Sequence, residues 1–346
     1  MSEMKRMLQY LRGYDGPPVR IMEVCGTHTA ATAKAGLHSL LPPTVALISG
    51  PGCPVCLAAS AYIDKLYALA ADGCIIASFG DLLRVRGKNG SLLDAKAQGA
   101  RVEMVYSPLD ALKLAQAHSE STVVMAAVGF ETTAPSYALT LETAMTEGIQ
   151  NFKLLTALKR LIPAMETLCA EESVDAFITP GHVAAVIGSD VFIPLAQRFR
   201  KPMVVTGFDA ADMVASICLL LSKLNTGYTA NLYGEVVRPQ GNPKALAILN
   251  RYFEPDEAYW RGLSAIPASG FYLKGAYAAF DAGSRGLLDS MADSGGCRCG
   301  EVLTGRIHPA QCPLFGSVCT PANAFGPCMV SAEGACGICY AGEGLE

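Results

Sequence analysis

Residues 19–29, VRIMEVCGTHT, pass from a β-branched apolar run into a small polar loop and then into an alanine-rich stretch that reads as a helix from about residue 30. A strand, a short loop and a helix in immediate succession open a βαβ unit. The figure returns down the chain. Residues 44–49, TVALIS, lead to a helix over about 58–71, and CIIASF follows at 74–79. After a helix at 107–120 it resumes with TVVMAAVG at 122–129, a helix near 136–147, FKLLTA at 152–157, DAFITP at 175–180 and KPMVVTG at 201–207. Parallel strands require such crossovers, which run right-handed and cover the sheet with helices. The pattern predicts an α/β protein with two doubly wound parallel-sheet lobes facing a cleft, at 1–118 and 119–228. A loop-rich C-terminal iron-sulfur domain is expected at 229–346, where glycine and cysteine replace the long apolar runs.

A chain of 346 residues exceeds what one core usually organises, which agrees with several domains. Hydrophobic residues make up 51% and charged residues 17%, the balance of buried parallel sheets rather than of a disordered chain. The formal charge is −4 and no run of Lys or Arg could follow a phosphate backbone, so nucleic acid is excluded as an expected partner. No apolar stretch approaches the roughly 20 residues of a membrane span, and residues 1–20 lack the apolar core of a signal peptide. The expected location is the cytoplasm.

Thirteen cysteines without an export signal point to metal binding or redox chemistry rather than to a disulfide framework. Cys74, Cys169 and Cys218 stand alone in apolar or helical patterns and read as packing residues. Cys25 ends the first strand ahead of a helix, where the helix dipole favours a thiolate and His28 adds a donor or metal ligand. The plain alternative is a buried cysteine beside a surface histidine. Cys53 and Cys56, in GPGCPVC at the end of the next strand, have the C-x2-C spacing that makes and breaks a bridge. Asp81, Glu131, Thr132, His182 and Asp209 also fall at strand ends, where ligands of such sheets bind, although caps and loop contacts are the commoner use of each.

Seven further cysteines crowd the C-terminal segment: Cys297, Cys299, Cys312, Cys319, Cys328, Cys336 and Cys339. The spacing from Cys312 through Cys319 and Cys328 to Cys336 suits a [4Fe-4S] cluster wrapped by loops, and these four are the expected ligands. Cys299 and Cys339 compete for a ligand place. Structural zinc stays open, although it favours two close C-x2-C pairs and only Cys336 and Cys339 form one here.

Taken together, MEVCGTHT, GPGCPVC, FGDLLRVRG, VYSPLDALK, GFETTAP, TPGHV, VVRPQGN and CPLFGSVCTP followed by GPCMVSAEGAC resemble the HypD family of hydrogenase maturation proteins, in unbroken order from about residue 22 to 340. The resemblance implies a scaffold and redox protein for assembly of the Fe(CN)2CO group of [NiFe] hydrogenase. Cys25 would bind the iron, transiently Fe(II) carrying CN and CO, jointly with a HypC-type partner, with His28 beside it. A HypE-type protein would supply cyanide. Cys53 and Cys56 would be a redox dithiol fed by the C-terminal [4Fe-4S] cluster. Leu57-Ala58-Ala59 and Arg86-Gly87 depart from the family pattern and leave the loop shape around the dithiol open. A cluster-dependent thiol-disulfide oxidoreductase acting on proteins is the alternative, and a zinc-stabilised interaction protein a further one. No G-x4-G-K-[ST] or G-x-G-x-x-G sequence supports a nucleotide enzyme.

Overall fold

The structure, a computed structural model, describes residues 2–289 and 296–342. Its strands are β1 (Val19–Glu23), β2 (Val45–Ser49), β3 (Ile75–Ser78), β4 (Val102–Met104), β5 (Val123–Gly129) and β6 (Phe152–Lys159). They continue as β7 (Ala176–Pro180), β8 (Met203–Thr206), β9 (Thr229–Asn231), β10 (Phe253–Trp260) and β11 (Ser264–Leu273). Two compact units divide the chain, each with one sheet and each discontinuous in sequence. Unit one comprises Met1–Cys53, Ala164–Pro243 and Gly296–Glu346, and unit two Pro54–Pro163 and Lys244–Gly295.

In unit one the order is β2-β1-β7-β8-β9 with every neighbouring pair parallel. Ile21 lies opposite Leu47 on one side and Ala176 on the other. The helix Ala210–Ser222 places Met213, Val214, Ile217 and Leu220 on one stripe, at the spacing of a helix face turned to a core. That stripe and Leu11 of the helix Glu3–Arg12 cover Ile21, Val45, Leu47, Ile178 and Val204. Burial of each large aliphatic side chain contributes about 1.5–3 kcal/mol. The opposite face of β1 and β2 meets the C-terminal segment: a side chain at Gly305 would run into Ile48 and Met22, and the Arg20 guanidinium donates to the Gly305 carbonyl.

Unit two has the order β10-β11-β6-β5-β3-β4. β6, β5, β3 and β4 run parallel, while β11 joins β6 and β10 joins β11 antiparallel. Every residue of β5, VVMAAVG, is buried, as expected of a central strand covered on both faces. The hairpin of β10 and β11 anchors itself through Trp260, whose indole N–H donates to Ser269 Oγ at 2.8 Å.

The alternating strands and helices therefore form two parallel-dominated α/β sheets, as the sequence implies. Their membership is not consecutive: β1 and β2 share a sheet with β7, β8 and β9. The stretch read as one C-terminal domain is divided, residues 253–273 completing the second sheet with a hairpin and residues 296–342 lying in unit one. Residues 290–295 and 343–346 of that stretch are outside the described residues.

Candidate functional site

In unit one the strand order reverses between β1 and β7, and ligands of open α/β sheets bind at the strand ends beside such a reversal. Cys25 sits there. It is the N-cap of the helix Gly26–Lys34, with extended φ and ψ, and is 8% exposed. Burial pushes its thiol up, against hydrogen bonds from the backbone N–H of His28 and from Thr27, and the Glu333 charge adds to the rise. The expected thiolate at a helix N-terminus is thus outweighed by desolvation; a metal taking this sulfur must displace its proton.

Two close approaches fix the loop around Cys25. A side-chain carbon at Gly52 would lie 2.3 Å from the Gly26 nitrogen and 2.5 Å from the Cys25 Cα, so only glycine lets the GPGC loop pass there. One at Gly26 would lie 2.5 Å from the Glu333 carbonyl oxygen. Thr27 Oγ1 completes the contact by donating to Glu333 Oε1 at 2.9 Å. Cys25, the residue before Cys53 and a residue three before Cys336 are thereby held in one loop cluster.

His28 is fully buried. Its Nε2 lies 3.0 Å from the Gly207 carbonyl and 3.3 Å from that of Thr206, which assigns the ring proton to Nε2. Burial takes its pKa down to about 4, so the imidazole is neutral, and the buried Nδ1 has no hydrogen-bond partner. Phe208 stacks on the ring at 4.5 Å between centroids, and the exposed His182 lies 4.2 Å from Phe208, tilted by 31°. Beneath the loop, Glu23 is buried and its carboxylate oxygen accepts from Thr32 Oγ1 at 2.5 Å. Burial raises its pKa to about 7. Phe208 and Glu23 were not among the sequence candidates.

Cys53 and Cys56 are joined as a disulfide, and both are buried. All the other cysteines are thiols. In the C-terminal segment, Cys312, Cys319, Cys328 and Cys336 do line one small cavity, and Cys297 and Cys299 line it too, with Val302, Leu314, Phe315 and Met329 as apolar wall. Burial and then the charges of Cys297, Cys319, Cys299 and Cys312 push the Cys336 thiol up. Cys339 lies outside this ring, with its Sγ 4.0 Å from His308 Nε2. Among the described residues no three His, Cys, Asp or Glu side chains close on one point as the shell of a single ion. The thiols surround a space instead. At about 10 Å³ that space holds no more than a water as packed, so a cluster would enter only as the side chains turn outward. The donors, six soft thiols in an apolar wall, are those a cluster requires.

The other candidates belong to unit two or to the surface. Glu131 follows β5, accepts from the Leu161 N–H at 2.8 Å, and has its pKa raised by burial to about 7, while its Oε2 is buried without a partner. Thr132 and Asp209 are exposed, and Asp81 pairs with Arg84 at 3.9 Å. Lys159, at the end of β6, is buried under Trp260 and donates to the Tyr259 carbonyl at 2.6 Å, its pKa lowered by burial to about 7. Cys218 reaches the Met7 carbonyl at 3.6 Å.

The fold and site define a class: an α/β protein with the Cys25 thiol set at a strand end and a cysteine-lined C-terminal cavity in the same unit. The profile described as HypD, Hydrogenase formation hypA family, matches residues 2–343. A hydrogenase maturation factor HypD of Escherichia coli (strain K12) is 45% identical over 331 residues, 93% of this chain and 89% of that protein. Those of Azotobacter vinelandii and Rhizobium leguminosarum bv. viciae are 41% and 44% identical, covering 93% and 91% of this chain and 89% and 86% of their own lengths. The chain belongs to the HypD family. No helix among the described residues is long and apolar enough to cross a membrane.

Proposed function

We propose that this chain is a hydrogenase maturation factor on which the Fe(CN)2CO group of [NiFe] hydrogenase is assembled, with Cys25 as the iron ligand. The observation that carries this reading is the loop cluster in which Gly52 and Glu333 pack on Cys25, Gly26 and Thr27. It gives the iron-binding thiol, the bridge-forming loop and the cysteine-lined cavity one shared neighbourhood.

Each group has a separable task. Cys25, backed by the helix N–H groups, gives a soft thiolate to the incoming iron once its proton is displaced. A HypC-type partner gives a second ligand, and a HypE-type partner brings cyanide. The neutral His28, pinned through Nε2, presents an unprotonated Nδ1 in a site closed by Phe208. Cys53 and Cys56 alternate between disulfide and dithiol, a two-electron change. A [4Fe-4S] cluster in the thiol ring supplies electrons when bound. Spacing alone selects Cys312, Cys319, Cys328 and Cys336 as its ligands. Cys297 lines the same cavity and offers a second set, in which it stands in place of Cys328. Thiols kept reduced outside the single bridge fit the cytoplasm.

Anaerobic co-purification of the chain with a HypC-type partner tests the proposal. Infrared bands of cyanide and carbonyl are expected from the complex and are expected to vanish with Cys25→Ala. A Cys25→Ala chain that still supports hydrogenase maturation refutes the scaffold and leaves the thiol-disulfide oxidoreductase, which the observed Cys53–Cys56 bridge also suits.

A further inference from the structure

Residues 336–339, CGIC, repeat the C-x2-C spacing of residues 53–56, and no task proposed above uses Cys339. The helix Ala335–Gly342 carries both Cys336 and Cys339, and both are thiols. Residues three apart on a helix share a face and have Cα atoms about 5 Å apart, within the span of a disulfide. Their Cβ atoms, about 5–6 Å apart on a regular helix, must close to about 4 Å, so bridging takes side-chain rotation together with a local adjustment of the helix backbone. The two thiols differ in access: Cys336 is buried and lines the cavity, whereas Cys339 is half-buried.

Cys339 also has a chemical partner that Cys336 lacks. His308 Nδ1 accepts from the Ala310 N–H at 3.4 Å, which assigns the ring proton to Nε2, and Nε2 is the atom 4.0 Å from Cys339 Sγ. The more reachable sulfur stands one turn from a cavity-lining cysteine.

We propose that Cys336 and Cys339 form a redox gate on the C-terminal cavity: a reversible disulfide between them withdraws Cys336 from the ligand set. The gate rests on the reading of that cavity as a cluster site. In closing, the Cys339 thiolate attacks a low-molecular-weight disulfide, making a mixed disulfide and expelling one thiolate. Cys336 then gives its proton to solvent and attacks the Cys339 sulfur, expelling the second thiolate. Two protein thiols are oxidised and one external disulfide becomes two thiols. A dithiol reverses the sequence and reopens the site. Access sets the order, since an external disulfide reaches Cys339 before Cys336.

The test uses the full apo chain, treated anaerobically with oxidised glutathione, alkylated and mapped by mass spectrometry, then offered iron and sulfide. The expected wild-type result is a Cys336–Cys339 crosslink and loss of loading, both reversed by dithiothreitol. Cys339→Ser is expected to keep Cys336 open to alkylation and to keep loading after the same treatment. Equal loss of the Cys336 thiol in Cys339→Ser, or undiminished loading of crosslinked wild type, overturns the gate while the cluster reading stands. An untreated chain that takes up no iron and sulfide overturns the cluster reading and the gate with it.

Discussion

Replacing Gly52 by Ala adds one methyl group where the structure has no room for it. The new carbon would sit 2.3 Å from the Gly26 nitrogen and 2.5 Å from the Cys25 Cα, and ordinary contact begins at 3.4 Å. The shortfall is about 1 Å, and both obstructing atoms are backbone, so rotamer changes do not relieve it. Overpacking of this kind costs about 1–3 kcal/mol. The site suffers more than the fold, because a shift of about 1 Å in a positioned group costs up to about 100-fold in its chemistry. Iron retention at Cys25 with the HypC-type partner is therefore expected to fall strongly, while iron and sulfide in the C-terminal cavity stay at wild-type content. Gly234→Ala is the matched control, since a carbon there meets nothing within 4 Å. Metal analysis after anaerobic gel filtration and a denaturant melt give the two readouts. If Gly52→Ala matches Gly234→Ala in both, the close approach at Cys25 is not what organises the loop.

Three further outcomes are expected. Glu131→Gln keeps the acceptor for the Leu161 N–H and removes a carboxyl whose pKa is raised to about 7; the raised value means stability is lost as pH climbs from about 4.5 to 7, so the variant's gain over wild type should grow across that window in urea melts. A gain that is flat with pH refutes the assignment. Phe208→Ala exposes His28 to water, and its titration by NMR is expected to move up from about 4 toward the ordinary histidine range; an unchanged value means Phe208 does not close the site. Cys297→Ser and Cys328→Ser separate the two cluster ligand sets: loss of iron and sulfide in the first with retention in the second supports Cys297, and the reverse restores the set expected from spacing.

The parallel strands could be read from the chain because each is a short apolar run between helical stretches, and β5 has no polar position at all. Sheet membership could not, since β1 chooses β7 through pairing across more than a hundred residues. The β10–β11 hairpin carries Pro255 and Pro267, which normally argue against a strand; Pro255 lies on β10, an edge, where proline is tolerated, and Pro267 falls where the β10–β11 pairing shifts register. At the site, Cys25, His28, Cys53, Cys56 and the C-terminal cysteines announce themselves by residue type. The holders of His28 do not, because they are backbone carbonyls of Thr206 and Gly207 and an aromatic ring in an otherwise ordinary strand-end loop. Glu23 gave one available signal, a lone carboxylate inside the apolar run of residues 19–24. That Cys297 joins the cavity, and that Cys299 does so where its competitor Cys339 does not, follows from loop paths without periodicity, which sequence spacing does not encode.

The contact between Thr27 and Glu333 also bears on synthesis. A ribosome adding about 5–20 residues per second releases the CGTHT loop many seconds before the SAEGAC segment that closes over it. Until then the chain can pair β1 with β2, but Gly26 has no Glu333 carbonyl against it and Arg20 has no Gly305 acceptor. The thiol of Cys25 is thus exposed early and enclosed late. A chain stopped short of Glu333 would lack that cover, so completing the chain is itself what encloses the Cys25 loop.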